Sequence, residues 1–396
     1  MRQGSGEVVR LGQSGTYDLD LVLVTIVLLT IGLIMIASSG QMVILGKQSA
    51  GPHFTLFYRQ ALFMALGACF LVICMKLPYH LYRRYALYML GAAFVLLVVV
   101  LIIGTEVRHA KRWISLGKID FQPVEAAKLA LVVFLAATIS EWGERVRDFT
   151  RGFLPLVGVG LLMAVMLALQ PNYTNAAFII VLTFVMLFIG GCRLRHIAMC
   201  VLPLAAASPL LLRVPKIMTR WLVLIGKAPA DPWASYQRDQ SLMAFGSGSL
   251  FGCGPGRGHQ KFRFLPDAHT DFIYSIVGEE LGLIGTIAIL LLFVFLMRRA
   301  ARTARRAPDS FGYLLAMGLG LMIFMTAMIN IAMTLGVFPT AGLPLPFISY
   351  GGSCLVASMA AIGIIVNISF EGREKRLPVE FIAARKTGSA EYARRA

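Results

Sequence analysis

Long apolar runs separated by short charged stretches dominate the chain. They fall at about 19–39, 56–77, 85–104, 123–140, 153–170, 175–191, 194–213, 271–297, 313–336 and 350–369. A helix of roughly 18 or more apolar residues crosses the hydrocarbon core of a bilayer, and glycine or proline shortens several of these runs. The pattern predicts an all-α membrane fold, a polytopic bundle of about ten transmembrane helices. A large extracytoplasmic loop, 214–270, separates helices 7 and 8. An even number of spans puts both ends on one side.

Composition agrees. The chain has 396 residues, 58% hydrophobic and 14% charged, with a mean hydropathy of +0.74. Soluble domains carry roughly 25% charged residues. The first 17 residues are polar and glycine-containing, and the first apolar run is too long for a signal h-region, so no cleavable leader is expected. The expected organisation is a cytoplasmic segment 1–17, a transmembrane domain 18–370 and a cytoplasmic tail 371–396. Six cysteines show no metal-ligand spacing and predict no disulfide framework; Cys253 is the one in a loop.

The net charge of +17 has no basic domain to carry it, so no nucleic-acid partner is expected. It serves orientation and anionic lipid instead. Arg83 and Arg84, Arg145, Arg147 and Arg151, Arg193 and Arg195, the stretch RRAARTARR at 298–306, and Arg373, Lys375 and Arg376 all fall on one side. The positive-inside rule makes that side cytoplasmic, with both termini there. Two outer loops break the rule. Loop 105–122 carries Arg108, Lys111, Arg112 and Lys118 against Glu106 and Asp120. Loop 214–270 carries Lys216, Arg220, Lys227, Arg238, Arg257, Lys261 and Arg263 against Asp231, Asp239 and Asp267. They serve either outer headgroups or an anionic substrate held by charge-assisted hydrogen bonds. Residues 221–225 of the longer loop, WLVLI, predict an interfacial segment.

Four motifs carry candidate chemistry. In RWISLGKIDFQPVEAAK, 112–128, Pro123 suits a first helical position, and Gln122, Glu125 and Lys128 share a narrow arc. Glu125 and Lys128 form either a structural ion pair or a polar wall of a water-filled cavity. Trp113 is either an aromatic-belt anchor or a platform for a sugar face. The glycine-rich QSLMAFGSGSLFGCGPGRG, 240–258, lacks the strand and βαβ context of a nucleotide loop and predicts a compact turn-rich loop. FPTAGLPLPFISYGGS, 338–353, predicts a re-entrant segment in which Ser349, Tyr350 and Ser353 offer hydrogen bonds, or else a rigid turn.

The fourth motif, PDAHTDFIYSIVGEELG at 266–282, places His269, Thr270 and Asp271 at the mouth of a span and Glu279 and Glu280 inside it. Each intramembrane carboxylate costs roughly 2.5–3.5 kcal/mol on insertion scales. On a continuous helix 271–297, Asp271, Ser275, Gly278 and Gly282 lie on one face, within about 40° of each other. Asp271 is either a helix N-cap or a general base. Glu279 and Glu280 point elsewhere and are expected to pair with polar groups of neighbouring spans.

HTDFIYSIVGEELG, FQPVEAAK and PLPFISYGGS, in this order on about ten spans, resemble the SEDS family, comprising FtsW, RodA and SpoVE. The resemblance covers about 18–370, and the GEELG form leans to the FtsW branch. It implies a peptidoglycan glycosyltransferase that polymerises lipid II, an undecaprenyl-pyrophosphate-linked disaccharide-pentapeptide, in cell division or cell-shape maintenance. It also implies a class B penicillin-binding protein transpeptidase and other divisome or elongasome membrane proteins as partners. Its essential aspartate maps onto Asp271, its tryptophan onto Trp113, and its cavity-lining pair onto Glu125 and Lys128. Arg112, Trp113, Glu125, Lys128, His269, Thr270, Ser275, Ser349, Tyr350 and Ser353 are the candidate substrate-binding residues. The chain departs from the family at Asn172 and Thr174, where aspartate and glycine are frequent, at Ala341 in place of a lysine, and at Asp267 in place of glutamate.

The expected chemistry is inverting attack by a sugar 4-hydroxyl. Asp271 acts as base, and basic outer-loop residues with Lys128, with or without a divalent cation (Mg or Mn), hold the pyrophosphate. Rival readings are a flippase or transporter for the same lipid and a non-catalytic scaffold.

Overall fold

The structure, a computed structural model, describes residues 18–45, 55–106, 111–117, 119–211, 213–227, 232–261 and 264–374. The expected segment 1–17, the tail beyond 374 with Lys375 and Arg376, and Arg108, Lys118, Asp231 and Arg263 lie outside the described residues. The elements in order are α1 (Leu19–Leu45), α2 (Thr55–Lys76), α3 (His80–Ile103), β1 (Thr105–Glu106), β2 (Lys111–Leu116), β3 (Ile119–Phe121), α4 (Pro123–Trp142), α5 (Leu154–Leu169), α6 (Tyr173–Ile189), α7 (Leu194–Leu211), α8 (Pro215–Leu224), α9 (Pro232–Gly248), α10 (Ile273–Arg306), α11 (Ser310–Thr334) and α12 (Gly352–Glu374).

Each predicted apolar run has its helix. Among the described residues eight helices are long and apolar enough to span a membrane, and Tyr173–Ile189 and Leu194–Pro203 are shorter apolar helices. α4, α11 and α12 bury 72%, 67% and 78% of their apolar windows, whereas α2 and α3 bury 22% and 28%. The first three therefore form the centre of the bundle, and α2 and α3 present leucine, valine and tyrosine side chains to lipid.

Three features depart from the expected plan. First, the fold is not purely helical: β1, β2 and β3 form a small antiparallel sheet, with Thr105 opposite Trp113 and Ile114 opposite Phe121. The alternation in KRWISL, followed by a glycine turn and IDF, is a hairpin pattern that counting spans passes over. Second, loop 214–270 contains two helices. α8 contains residues 221–224 of the stretch expected to be interfacial, with Val223 buried and Trp221 exposed, and Ile225, exposed, caps it. Third, α10 runs on to Arg306, so RRAARTARR forms its last turns and is no loop.

α10 is also broken. Gly282 has φ 66° and ψ −165°, outside helical geometry. The continuous helix predicted over 271–297 is therefore two helices, 273–281 and 283–306, joined at a kink. A kink frees backbone groups that lipid cannot satisfy. The segment after α9 satisfies four of them. Cys253 N donates to Glu279 O (3.0 Å), Gly254 N to Glu280 O (3.1 Å), Leu283 N to Ser249 O (3.0 Å) and Ile284 N to Leu250 O (3.3 Å). The glycine-rich stretch is the compact turn-rich loop expected, and its place is against the kink.

The end of the bundle reached by residue 306 is tied by charge. Arg299 pairs with Asp18 and, at 2.9 Å, with Asp20. Asp18 N donates to Ser369 Oγ at 3.3 Å, which brings the start of α1 beside the end of α12. Asp271 lies at the other end of α10.

Candidate functional site

Asp271 sits in a turn just before α10, not on the helix. Its N–H and that of Thr270 both donate to Asp267 O at 3.1 Å, and Thr270 Oγ1 donates to the same oxygen at 3.1 Å. The residue at the helix cap is Phe272, with no side-chain capping bond. The N-cap alternative for Asp271 therefore falls, and the shared face with Ser275, Gly278 and Gly282 falls with it.

Backbone contacts fix the turn from two directions. Asn330, fully buried in α11, donates through Nδ2 to Asp271 O at 2.8 Å and to Leu343 O at 2.7 Å. Tyr350 N donates to His269 O at 2.9 Å, and the two rings lie 5.8 Å apart. Gly342 faces the carboxylate: a Cβ there would lie 3.6 Å from Asp271 Oδ2. Its φ of +59° is the left-handed region that glycine adopts most readily.

Two arginines act on Asp271 electrostatically. Arg112, on β2, donates to Pro171 O, and Arg220 Nη1, on α8, donates to Thr174 Oγ1 at 3.0 Å. Burial pushes both guanidinium groups below their ordinary range. For Arg112 the charge of Arg220 adds to that, and Asp271 opposes it in both. Arginine is not deprotonated in proteins, so two cations act on one carboxylate here. Burial likewise lowers the His269 pKa, with Asp267 opposing, so its imidazole is neutral at pH 7.

The segment 342–354 runs from Asp271 to the start of α4. Ser353 Oγ accepts from Gln122 N at 2.9 Å, and the Cys354 thiol lies beside Glu125. Lys128 Nζ is 2.7 Å from Glu125 Oε1, a close charge contact off hydrogen-bond alignment, and 5.0 Å from the centre of the Phe178 ring. Both side chains are buried, so the pair predicted from i,i+3 spacing forms inside the bundle. Trp113, half-buried on β2, accepts from Thr105 Oγ1 at its carbonyl (3.1 Å).

Ser275 and Ser349 lie beneath this surface. Ser275 Oγ is 2.6 Å from Ser241 Oγ, which donates to Thr334 O at 2.6 Å, joining α9, α10 and α11. Ser349 Oγ accepts from Leu345 N at 2.8 Å within its own turn.

Glu279 and Glu280 have different partners, as expected, but these come mostly from the segment 256–261 between α9 and α10, and only Ser38 from a neighbouring span. Glu279 accepts from His259 N at 2.6 Å and from Gln260 N. Glu280 accepts from Lys261 Nζ and Ser38 Oγ, each at 2.7 Å, and from Gly256 N at 3.0 Å.

Among the described residues no group of three or more His, Cys, Asp or Glu could hold a metal ion. Arg112 and Arg220, which act on Asp271, are donors only and offer a protein-held divalent cation no ligand. A cavity of ≈440 Å³ opens at the far end of α4, lined by Arg147, Phe149, Arg193 and His196 among others. At about 1.5 Å per residue, α4 separates it by roughly 30 Å from Gln122. It takes no part in this site.

Arg220, Asn330, Gly342 and Thr174 were not singled out by sequence as site residues. Asn330 had a readable signal, an amide inside an apolar run. Arg220 was visible only as one of several loop charges.

A family model described as a cell cycle protein, covering FtsW, RodA and SpoVE, matches residues 19–374. The chain is 38% identical over 358 residues to a "Probable peptidoglycan glycosyltransferase FtsW" of Trichlorobacter lovleyi, covering 89% of this chain and 93% of that one. It is 38% identical over 363 residues to "Stage V sporulation protein E" of Bacillus subtilis, covering 89% and 96%. Two solved structures, each 26% identical and covering 92% of this chain and 99% of theirs, share the fold. One is a chain from a study of polymerization and crosslinking by a peptidoglycan synthase complex (TM-score 0.73). The other is the Rod shape determining protein RodA of Thermus thermophilus (TM-score 0.66).

Proposed function

This chain belongs to the cell cycle protein family of FtsW, RodA and SpoVE, and from that premise we propose that it is a multi-pass membrane peptidoglycan glycosyltransferase polymerising lipid II, with Asp271 as general base. The observation that carries the reading is a carboxylate held by its own backbone in a tied turn, with two half-buried arginines acting on it.

The chemistry follows from that arrangement. The 4-hydroxyl of the acceptor sugar gives its proton to Asp271 as its oxygen bonds to the donor anomeric carbon. The bond from that carbon to the pyrophosphate oxygen breaks, with inversion, and the electron pair leaves on the lipid pyrophosphate. Arg112 and Arg220 oppose the charge that develops there, and burial strengthens that effect. A cation arriving with the substrate would add to the same charge balance; no step here runs through it. His269 and Thr270 lie in the turn, Tyr350 borders it, Trp113 stands next to Arg112 on β2, and Glu125 with Lys128 form a polar wall deeper in the bundle.

In this reading Asp271 works at the extracytoplasmic face. The basic residues Arg145, Arg147, Arg193, Arg195 and Arg298 to Arg306 gather at the opposite end, which the positive-inside rule assigns to the cytoplasm. Lipid II would enter from the outer leaflet, and a class B penicillin-binding protein would cross-link the strands as they emerge, in septal or elongation growth.

Purified protein with its partner and lipid II in detergent tests this. Wild type should yield glycan strands and Asp271→Ala none. Polymerisation by Asp271→Ala at the wild-type rate would overturn the assignment. Movement of lipid II across vesicles with no polymerisation would favour the transporter.

A further inference from the structure

Beyond the proposed site, two glutamates and a lysine are buried where the mechanism makes no use of them. Glu279 is 1% exposed, Glu280 is fully buried, and the Lys261 side chain is 1% exposed. The backbone hydrogen bonds that satisfy four of the groups freed at Gly282 involve none of these side chains. Charged groups at such depth are costly and persist where something depends on them.

These charges join three parts of the chain that are distant in sequence. Glu280 holds Lys261 and Ser38, so the outer loop and α1 meet on one carboxylate; Lys261 Nζ also donates to Ser38 Oγ at 2.9 Å. Glu279 accepts from two successive backbone N–H groups, His259 and Gln260. The fit has no slack: a Cβ on Gly258 would lie 2.8 Å from Glu279 Oε2.

Between this cluster and Asp271 lies only the helix 273–281, about 13 Å long at 1.5 Å per residue. It is buried throughout residues 273–280 and ends at the turn carrying Asp271. Below the kink, α10 continues as a separate helix. The heading of the short helix is therefore set by what grips its lower end, and its upper end is gripped by Asn330 and by the Ser241–Ser275 contact.

We infer that Glu279, Glu280 and Lys261 are positioning residues: together with Ser38 they form a clasp that locks the short helix 273–281 to α1 and the outer loop and so sets the placement of Asp271. The inference rests on the catalytic reading of Asp271. A misplacement of about 1 Å in a reacting group can lower a rate by about 100-fold.

The test is the double variant Lys261→Met/Glu280→Gln, which removes the ion pair without leaving one charge alone. Lipid II polymerisation by the purified variant with its partner should show kcat at least about tenfold lower and KM within about twofold of wild type. Amide hydrogen exchange at 267–272 should quicken, while exchange in α11 should not. A folded variant with wild-type kcat overturns the clasp. A raised KM with unchanged kcat also overturns it, because the cluster would then shape substrate binding.

Should the double variant fail to fold, Ser38→Ala removes one partner of both charges and leaves the charges in place. A fall of about threefold in kcat with faster exchange at 267–272 supports the clasp, and wild-type values of both sink it. Asp271→Asn is the separate control. If it polymerises normally, the catalytic reading fails, while the clasp is still decided by exchange at 267–272.

Discussion

Asn330 donates its side-chain amide to the main-chain carbonyl of Asp271 at 2.8 Å, and the same nitrogen donates to Leu343 at 2.7 Å. One buried amide on α11 thus fixes the turn that carries the carboxylate to the non-helical segment opposite it. In an apolar bundle two such carbonyls have few other donors, so the loss of this one should be felt locally.

Asn330→Leu keeps the volume and removes the donor. Orphaning a buried acceptor costs about 1–3 kcal/mol. Thermal unfolding in detergent should show that destabilisation, and the glycan polymerisation rate should fall about tenfold. Unchanged rate and melting would mean that the turn holds itself.

Gly342 stands at φ +59° beside Asp271 Oδ2. In Gly342→Ala the left-handed backbone costs roughly 1–2 kcal/mol, and the new methyl group meets the carboxylate. Polymerisation should drop more than stability does. Gly351→Ala is the comparison, because its added Cβ would likewise meet only ordinary contacts of 3.5 Å or more but its backbone is not left-handed.

Arg220 bonds Thr174 and acts on Asp271 through space. Arg220→Ala should raise KM for lipid II by about 10–100-fold, the size of a charge-assisted hydrogen bond of roughly 1.5–3 kcal/mol. Arg220→Lys should recover only part, because a lysine lacks the planar fork. Steady-state kinetics at two salt concentrations would separate this from a loss of folded protein.

Lys128 and Glu125 should behave as a unit. Lys128→Met leaves a buried carboxylate unpaired and should destabilise by about 3–5 kcal/mol, whereas Lys128→Met with Glu125→Gln should regain most of it. Melting temperatures of the two variants check this. Equal losses would mean that the pair does not act as one.

His269 provides the pH prediction. Burial lowers its pKa below the ordinary value of about 6.5. The unfolded chain then binds a proton at a higher pH than the folded chain, so stability is full above about pH 6.5 and declines as pH falls towards the folded pKa. Melting temperature should drop between pH 7 and 5 in wild type and drop less in His269→Gln.

Much of this was legible from residues alone. The ten spans followed from apolar length, because a backbone in lipid must close its own hydrogen bonds. The Glu125–Lys128 pair followed from i,i+3 spacing, a local relationship. The break at Gly282 was not legible: VGEELGLIG reads as a continuous helix, and the groups that satisfy the kink come from 249–254, outside any local window. Arg220 with Thr174, 46 positions apart, and Asn330 with Asp271, 59 apart, are likewise products of the packed bundle.

The sequence by itself determined that the chain crosses a membrane about ten times, that basic charge collects at one end, and that the HTDF aspartate stands at the mouth of a span. Each of those depends on hydropathy, charge count or a contiguous motif. Only the tertiary structure decided that Asp271 precedes its helix instead of lying on it, that two arginines from separate elements act on it, and that Glu279 and Glu280 grip the segment 256–261. The reason is physical: a buried polar group takes its partners from whatever packing brings within about 3 Å, and in this bundle those partners come from distant parts of the chain.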